Sequence, residues 1–355
     1  MVKPNASSAR YDQFLTSLLV GFRNEQESYG HLAVPTILHN DESGLYPIIS
    51  DADWMRLAAK VRARSTPAHM SGFKMETGSF KCVPWSLAQP IDIDDAAKAA
   101  DPVDLDMAAA MYVADQMLLA NESAFATAAF TASVWGTTDQ TGVTGTPSTN
   151  EFKWWSDSAA TPAKNIAALN SAMKKNTGRK GNTLFVTDDV DAAVRFCPDV
   201  IDRVKYTNPN AIDNNAGGPG VAGVTNPVEM AKYFGVRNYV VCGAAYNSAV
   251  EEATKVGAFF ASNKALLCYL DDPGVAGGQG LSLTNARFRP TALAAIRYEL
   301  PGSQNGKRVR SYYREDIKSN VVEGDESFVY HRPLRESATN SGKNPLGQLL
   351  TSVLS

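Results

Sequence analysis

Between residues 101 and 135 the chain reads DPVDLDMAAAMYVADQMLLANESAFATAAFTASVW, with no Pro or Gly after Pro102 until Gly136. Leu105, Met111, Leu118, Leu119, Phe125 and Phe130 recur near helical spacing, and alanine fills much of the rest. Asp101 suits the cap, Pro102 the first helical position and Asp104 the first turn. A helix over 105–130 would be roughly 38 Å long at 1.5 Å per residue, long enough to serve as a spine for other elements. This phase places Leu118 on the packed face.

The flanking segments have other rhythms. Residues 11–22 carry Phe14, Leu15, Leu18 and Leu19 and predict a short helix. Residues 32–50, LAVPTILHNDESGLYPIIS, hold Pro35 and Pro47 and read as an extended arm. From residue 54 to 92, alternation at Lys60–Arg64 and turn candidates Gly72 and Gly78 predict a long hairpin or extended loop, basic on one side. Such a ribbon has too few bulky aliphatics to be buried in its own subunit, so it reads either as a surface β-hairpin or as an arm that becomes ordered on a neighbouring subunit. A short helix follows at 92–100, and the Thr/Gly-rich run at 136–152 reads as loop.

Beyond Thr161 the pattern alternates. Helices are expected at 162–176, 188–196, 198–206 and 227–234, the last with a capping-box start at Asn226 and Glu229. Short apolar strands are expected at 183–186, 238–242 and 265–270, giving a mixed sheet covered by helices. From 285 to 332 the chain turns to strands, ALAAIRYEL, GKRVRSYYRED and ESFVYHRP, which fit an antiparallel sheet with one wet face. The tail at 346–354, LGQLLTSVL, reads as a short helix.

Composition narrows the possible functions. Lys+Arg 34 against Asp+Glu 37 gives a net charge of −3, unlike the basic balance of a tight nucleic-acid binder. No apolar run approaches the ~20 residues of a membrane span, and the start shows no secretion signal. The four cysteines, Cys82, Cys197, Cys242 and Cys268, lack CxxC or metal-ligand spacing, so reduced thiols and no metal are expected. GPGVAG at 218–223 matches a dinucleotide fingerprint in letters only, because loop precedes it. His31, His39, His69 and His331 fall in arm, loop or edge segments and read as surface or interface residues. The pairs Asp94–Asp95, Asp188–Asp189 and Asp271–Asp272 sit at helix starts or a turn, where capping explains them. Neither a catalytic constellation nor a cofactor motif is visible, so the chain is expected to be no enzyme.

The order of parts resembles the major capsid proteins of tailed bacteriophages. The stretch 90–130 is similar to that family's approach to its spine helix, including Glu122 followed by aromatics. Residues 181–206, GNTLFVTDDVDAAVRFCPDVIDRVKY, and 226–249, NPVEMAKYFGVRNYVVCGAAYNSA, resemble its axial domain, and RVRSYYREDIKSN at 308–320 its late peripheral strands. The resemblance spans roughly residues 30–332 and rests on the pieces occurring in the right order.

It implies an α+β, Hong Kong 97-type fold. The expected parts are an N-terminal arm (1–53), an extended β-hairpin loop (54–92) and a peripheral domain with the spine helix (93–160). An α/β axial domain (161–284), returning peripheral strands (285–332) and a C-terminal tail (333–355) complete it. It further implies a homo-oligomer of hexamers and pentamers closing into an icosahedral head around double-stranded DNA, assembled in the bacterial host cytoplasm. A separate scaffolding protein, a portal and decoration proteins are the implied partners; no membrane and no cofactor are. Inter-subunit contacts are expected at Arg62, Arg64 and Lys74. An encapsulin-like nanocompartment shell is the alternative with the same fold, and a soluble α/β enzyme is the reading from another class.

Overall fold

The computed structural model describes residues 28–49, 53, 55–94, 105–136, 139–207, 227–250, 253–271, 291–301, 306–333 and 343–355. The expected helix at 11–22, most of the one at 92–100, the caps at Asp101 and Asn226, and the GPGVAG run lie outside these residues.

One long helix, α1 (Leu105–Ala129), separates two sheets. The first sheet contains β1 (Thr36–His39), β4 (Val83–Asp92), β12 (Ala294–Tyr298), β13 (Lys307–Arg314) and β14 (Ser319–His331). Its centre is β14, which pairs antiparallel with β4 on one side and with β12 and β13 on the other, while β1 adds parallel to β12. The second sheet has six strands in the order β6 (Glu151–Lys153), β5 (Gln140–Val143), β15 (Gly347–Thr351), β11 (Lys264–Cys268), β7 (Thr183–Thr187) and β8 (Asn238–Cys242). Helices α2 (Pro162–Thr177), α3 (Asp188–Arg195), α4 (Pro198–Thr207) and α5 (Pro227–Phe234) accompany it.

Strand alternation divides the second sheet between two cores. Leu184 and Val186 of β7, Leu267 of β11 and Leu350 of β15 join Trp155, Ile166, Met173, Met230 and Phe234 on one face. Phe185, Leu266 and Leu349 point the other way, into a cluster with Phe125 and Phe130 from the α1 end and Leu293, Phe328 and Tyr330 from the first sheet. A smaller cluster of Ile91, Ala109 and Val322 sits under the start of α1. The helix thus crosses from one sheet's core to the other's, the role a spine requires.

Several expectations change. The buried face of α1 is Ala109, Val113, Asn121, Glu122, Phe125, Ala126 and Ala129, whereas Leu118 is only half-buried. The start of α1 lies close on β14 and β4, where Ala109 and Val113 are the buried residues. At Gly324 of β14 an added Cβ would press on the Val113 side chain. The run at 136–152 is not all loop, since β5 and β6 lie in it. The tail forms β15, a strand rather than a helix, inserted between β5 and β11. The arm is extended, but its β2 (Ser43–Ile49) pairs with β3 (Met75–Lys81) of the same chain. Residues 54–92 are therefore not a ribbon folded on itself: β3 pairs with β2 and β4 pairs with β14. Two further strands, β9 (Ala245–Asn247) and β10 (Gly257–Phe259), form a small antiparallel ribbon. The six-stranded sheet draws β5, β6 and β15 from outside the 161–284 span expected for an axial domain.

Candidate subunit interface

Residues 55–74 make no strand, and nearly every one is exposed. The apolar members are exposed too: Leu57 at 89%, Val61 at 105% and Met70 at 91%. A monomer gains nothing by holding such side chains in water, where covering each is worth about 1.5–3 kcal/mol. Arg62 and Arg64 lie in this loop and make no ion pair among the described residues. Lys74 differs: its Nζ lies 2.6 Å from Glu76 Oε1, and its backbone amide donates to Asp53 Oδ2 at 3.1 Å. Lys74 thus has partners within its own chain, while its side chain, like those of Arg62 and Arg64, stays exposed.

The loop is held at its base. Asp53 takes Arg56 as well as the Lys74 amide. The ribbon of β2 and β3 is tight: at Gly78 the Tyr46 ring occupies the space a Cβ would need. Tyr46 in turn donates its hydroxyl to His331 Nε2 at 2.7 Å, while Phe80 packs against His39 and His331. Burial holds His331 well below its ordinary value, at about 4, so its ring is neutral and able to accept that bond.

A second device fixes the start of the arm. Glu122, on the buried face of α1, accepts the amides of Gly30 and His31 at 3.1 Å each, and His31 Nδ1 at 2.7 Å. Both side chains are 2% exposed. Gly30 fits there only because it has no side chain, since a Cβ would overlap Cys242 Sγ and the Phe125 ring. One residue earlier on α1, Asn121 donates to Glu326 Oε2 and accepts from Arg297 Nη2 and the Tyr330 hydroxyl. Arg297 pairs with Glu326 inside the sheet, and burial lowers the Arg297 pKa. These adjacent polar residues tie the arm, the helix and the first sheet together through contacts more than ninety positions apart in sequence. His31 was expected at the surface or an interface; it is 4% exposed and bonds within its own chain. His69 lies in the exposed loop.

Other uncovered surface escaped the sequence reading. Met107, Met111 and Tyr112 on the first half of α1 are 63%, 47% and 50% exposed. Strand β13 shows Val309 at 61% and Tyr313 at 49%, so both of its faces are wet rather than one. Exposed Met and Tyr in helical or strand register were the available signal. Among the described residues no group of His, Cys, Asp or Glu is arranged to hold a metal, and no helix is long and apolar enough to cross a membrane. All four cysteines are free and buried.

No family model and no curated relative matches the chain. Solved structures do. A phage-related protein of Bordetella bronchiseptica RB50 superposes with a TM-score of 0.61 at 16% identity, covering 96% of this chain and 97% of that one. The asymmetric unit of the bacteriophage PhiM1 mature capsid gives 0.52 at 12% identity over 94% and 88%. The fold is the phage-capsid fold of Hong Kong 97 type. A structure from Mycobacterium phage Adephagia agrees, with a TM-score of 0.50 at 11% identity over 97% and 94%.

Proposed function

We propose that this protein is the major structural subunit of a phage head. Its copies assemble as hexamers and pentamers into a closed icosahedral shell around double-stranded DNA. The observation that carries this reading is the loop at 55–74, a segment of about twenty residues that displays Leu57, Val61 and Met70 to solvent while its base is pinned. A surface of this kind is complete only when a second copy covers it. The contact is heterologous, loop of one copy against a different surface of the next, and such contacts close into rings. Arg62 and Arg64 add register to it; each exposed pair is worth ~0–1 kcal/mol, so the apolar residues supply most of the affinity. In this scheme residues 1–53 serve as arm, 93–160 with 285–332 as peripheral domain, and 161–284 as axial domain. A scaffolding protein, a portal and decoration proteins are the partners the scheme calls for.

The test is to replace residues 58–72 with a short Gly/Ser turn in the full chain, co-expressed with its scaffold. The circular dichroism of the core should be unchanged and closed shells should be lost. Normal shells from that variant would overturn the reading. A nanocompartment shell of the same fold is separated by content: nuclease-protected DNA in purified shells supports the head, and an enzyme cargo without nucleic acid contradicts it.

A further inference from the structure

From Ser158 to Thr187 the chain contains no Asp or Glu, yet it carries Lys164, Lys174, Lys175, Arg179 and Lys180. The fold gathers four of these at one corner. Lys174 and Lys175 occupy the last turn of α2, and Gly178 closes it in the left-handed conformation at φ 73, with its amide donating to the Lys174 carbonyl. Arg179 and Lys180 lie on the turn into β7. Arg237 joins the same corner, because its amide donates to the Asn182 carbonyl at 2.9 Å as β8 begins beside β7.

The negative end of the α2 dipole accounts for part of this, at ~0.3–1 kcal/mol for a cation in the last turn. It does not account for Lys180 beyond the helix or for Lys164 in the first turn, where a cation is disfavoured. Lys174, Lys175 and Lys180 are exposed and make no ion pair among the described residues. Arg179 is held down, donating to the Tyr269 hydroxyl at 2.7 Å and lying 5.0 Å over that ring, so it firms the corner.

Two surfaces of the chain are thus basic, and they differ in kind. The loop at 55–74 mixes arginines with exposed Leu, Val and Met, which fits a protein partner. The α2 corner has no large exposed apolar residue anywhere between 161 and 195, which fits a hydrated polyanion. The acids at the opposite end of β7 are not complementary docking points for a neighbour's lysines. Asp189 accepts the amides of Val190 and Asn263 at 2.9 and 2.6 Å, and Asp191 accepts Arg195 Nε and the Tyr239 hydroxyl at 2.7 and 2.6 Å.

We infer that Lys174, Lys175 and Lys180 form a phosphate-contacting patch through which the inner face of the shell meets the backbone of packaged double-stranded DNA. The inference rests on the phage-head reading and adds to it the face that points inward. With three exposed ammonium groups, the contact reads charge and not sequence.

The test is fluorescence anisotropy of a labelled 20-base-pair duplex with the full-length chain, from 50 to 200 mM NaCl. It compares wild type with the triple variant K174Q/K175Q/K180Q and with R62Q/R64Q. Each phosphate contact contributes a slope of about −0.9 in log K against log salt, so the triple variant should lose about 2.7 of that slope. Wild type should then shed ~40-fold more affinity than the triple variant over that range, with R62Q/R64Q behaving as wild type. An unchanged slope in the triple variant, a loss seen instead in R62Q/R64Q, or no duplex binding by wild type at 50 mM each overturns the inference. So does a triple variant that binds duplex normally but no longer forms shells, since its lysines would then face another subunit. Electron microscopy of wild type keeps the two claims apart: absent shells count against the phage-head reading, whereas shells with an unchanged slope sink only the DNA patch.

Discussion

Replacing Glu122 by Gln changes no volume and removes one charge from the point where the arm meets the spine. The carboxylate accepts Gly30 N and His31 N at 3.1 Å and His31 Nδ1 at 2.7 Å, in a site 2% exposed. The amide keeps one acceptor. If its oxygen stays at the His31 side, its NH2 group meets the Gly30 N–H, donor against donor. One buried donor is then left unmade, at ~1–3 kcal/mol, and two charge-assisted bonds become neutral ones of about half the strength. The sum is about 3 kcal/mol, or a factor of ~150 in the local opening equilibrium at 1.4 kcal/mol per decade. A chain of this size is not expected to unfold in a single step, so the readout should be local. Hydrogen exchange by mass spectrometry should show peptides covering 28–35 exchanging ~10²-fold faster in Glu122→Gln, with β7 unchanged. Equal protection of 28–35 in the two proteins would refute the latch.

Two further outcomes follow from the same geometry. Phe125→Ala, which empties a fully buried ring site shared by Phe130, Phe185 and Tyr330, should cost ~3–5 kcal/mol of local stability, read as faster hydrogen exchange in the peptides that carry Phe125 and Phe185, while Leu118→Asp at a half-buried position should leave soluble protein; the reverse ranking would show the phase of α1 to be wrong. The third concerns pH: His331 is held at about 4 by burial, below its unfolded value near 6.5, so the unfolded chain binds the extra proton between those values. Its contribution is fully present above pH 6.5 and is lost as pH falls toward 4, by roughly 3 kcal/mol at most. Stability measured across that window should therefore flatten in His331→Gln, and an unchanged pH profile would contradict the neutral His331–Tyr46 bond.

Much of the fold was legible because its signals are local. The long helix announced itself by the absence of breakers, and β7, α3, α5 and β8 by short apolar runs with capping acids. What failed was non-local. β15 is central and buried on both faces, so Leu349 and Leu350 show no alternation and read equally well as helix. The β2–β3 pairing and the Glu122–His31 bond join residues far apart in the chain, and neither leaves a mark in periodicity. Leu118 and Leu119 drew the helix phase toward themselves, while the true face mixes alanines with Val113, Asn121, Glu122 and Phe125, so no run of large apolar residues marks it. In the exposed loop, Arg62 and Arg64 were legible as charge in an extended segment. Lys74 was expected at an inter-subunit contact; within its own chain it pairs with Glu76, which no local pattern announced. The exposed Leu57, Val61 and Met70 were legible only once the segment was seen to pack on nothing of its own.

On the proposed reading, this chain is a shell subunit whose loop is completed by another copy. Electron cryomicroscopy of the full-length protein, expressed with its scaffold, tests it most directly. The account predicts closed icosahedral particles in which residues 55–74 of each copy lie against a neighbour, with Leu57, Val61 and Met70 covered. Particles in which that loop projects freely into solvent, or a preparation that stays monomeric under every assembly condition, would contradict it.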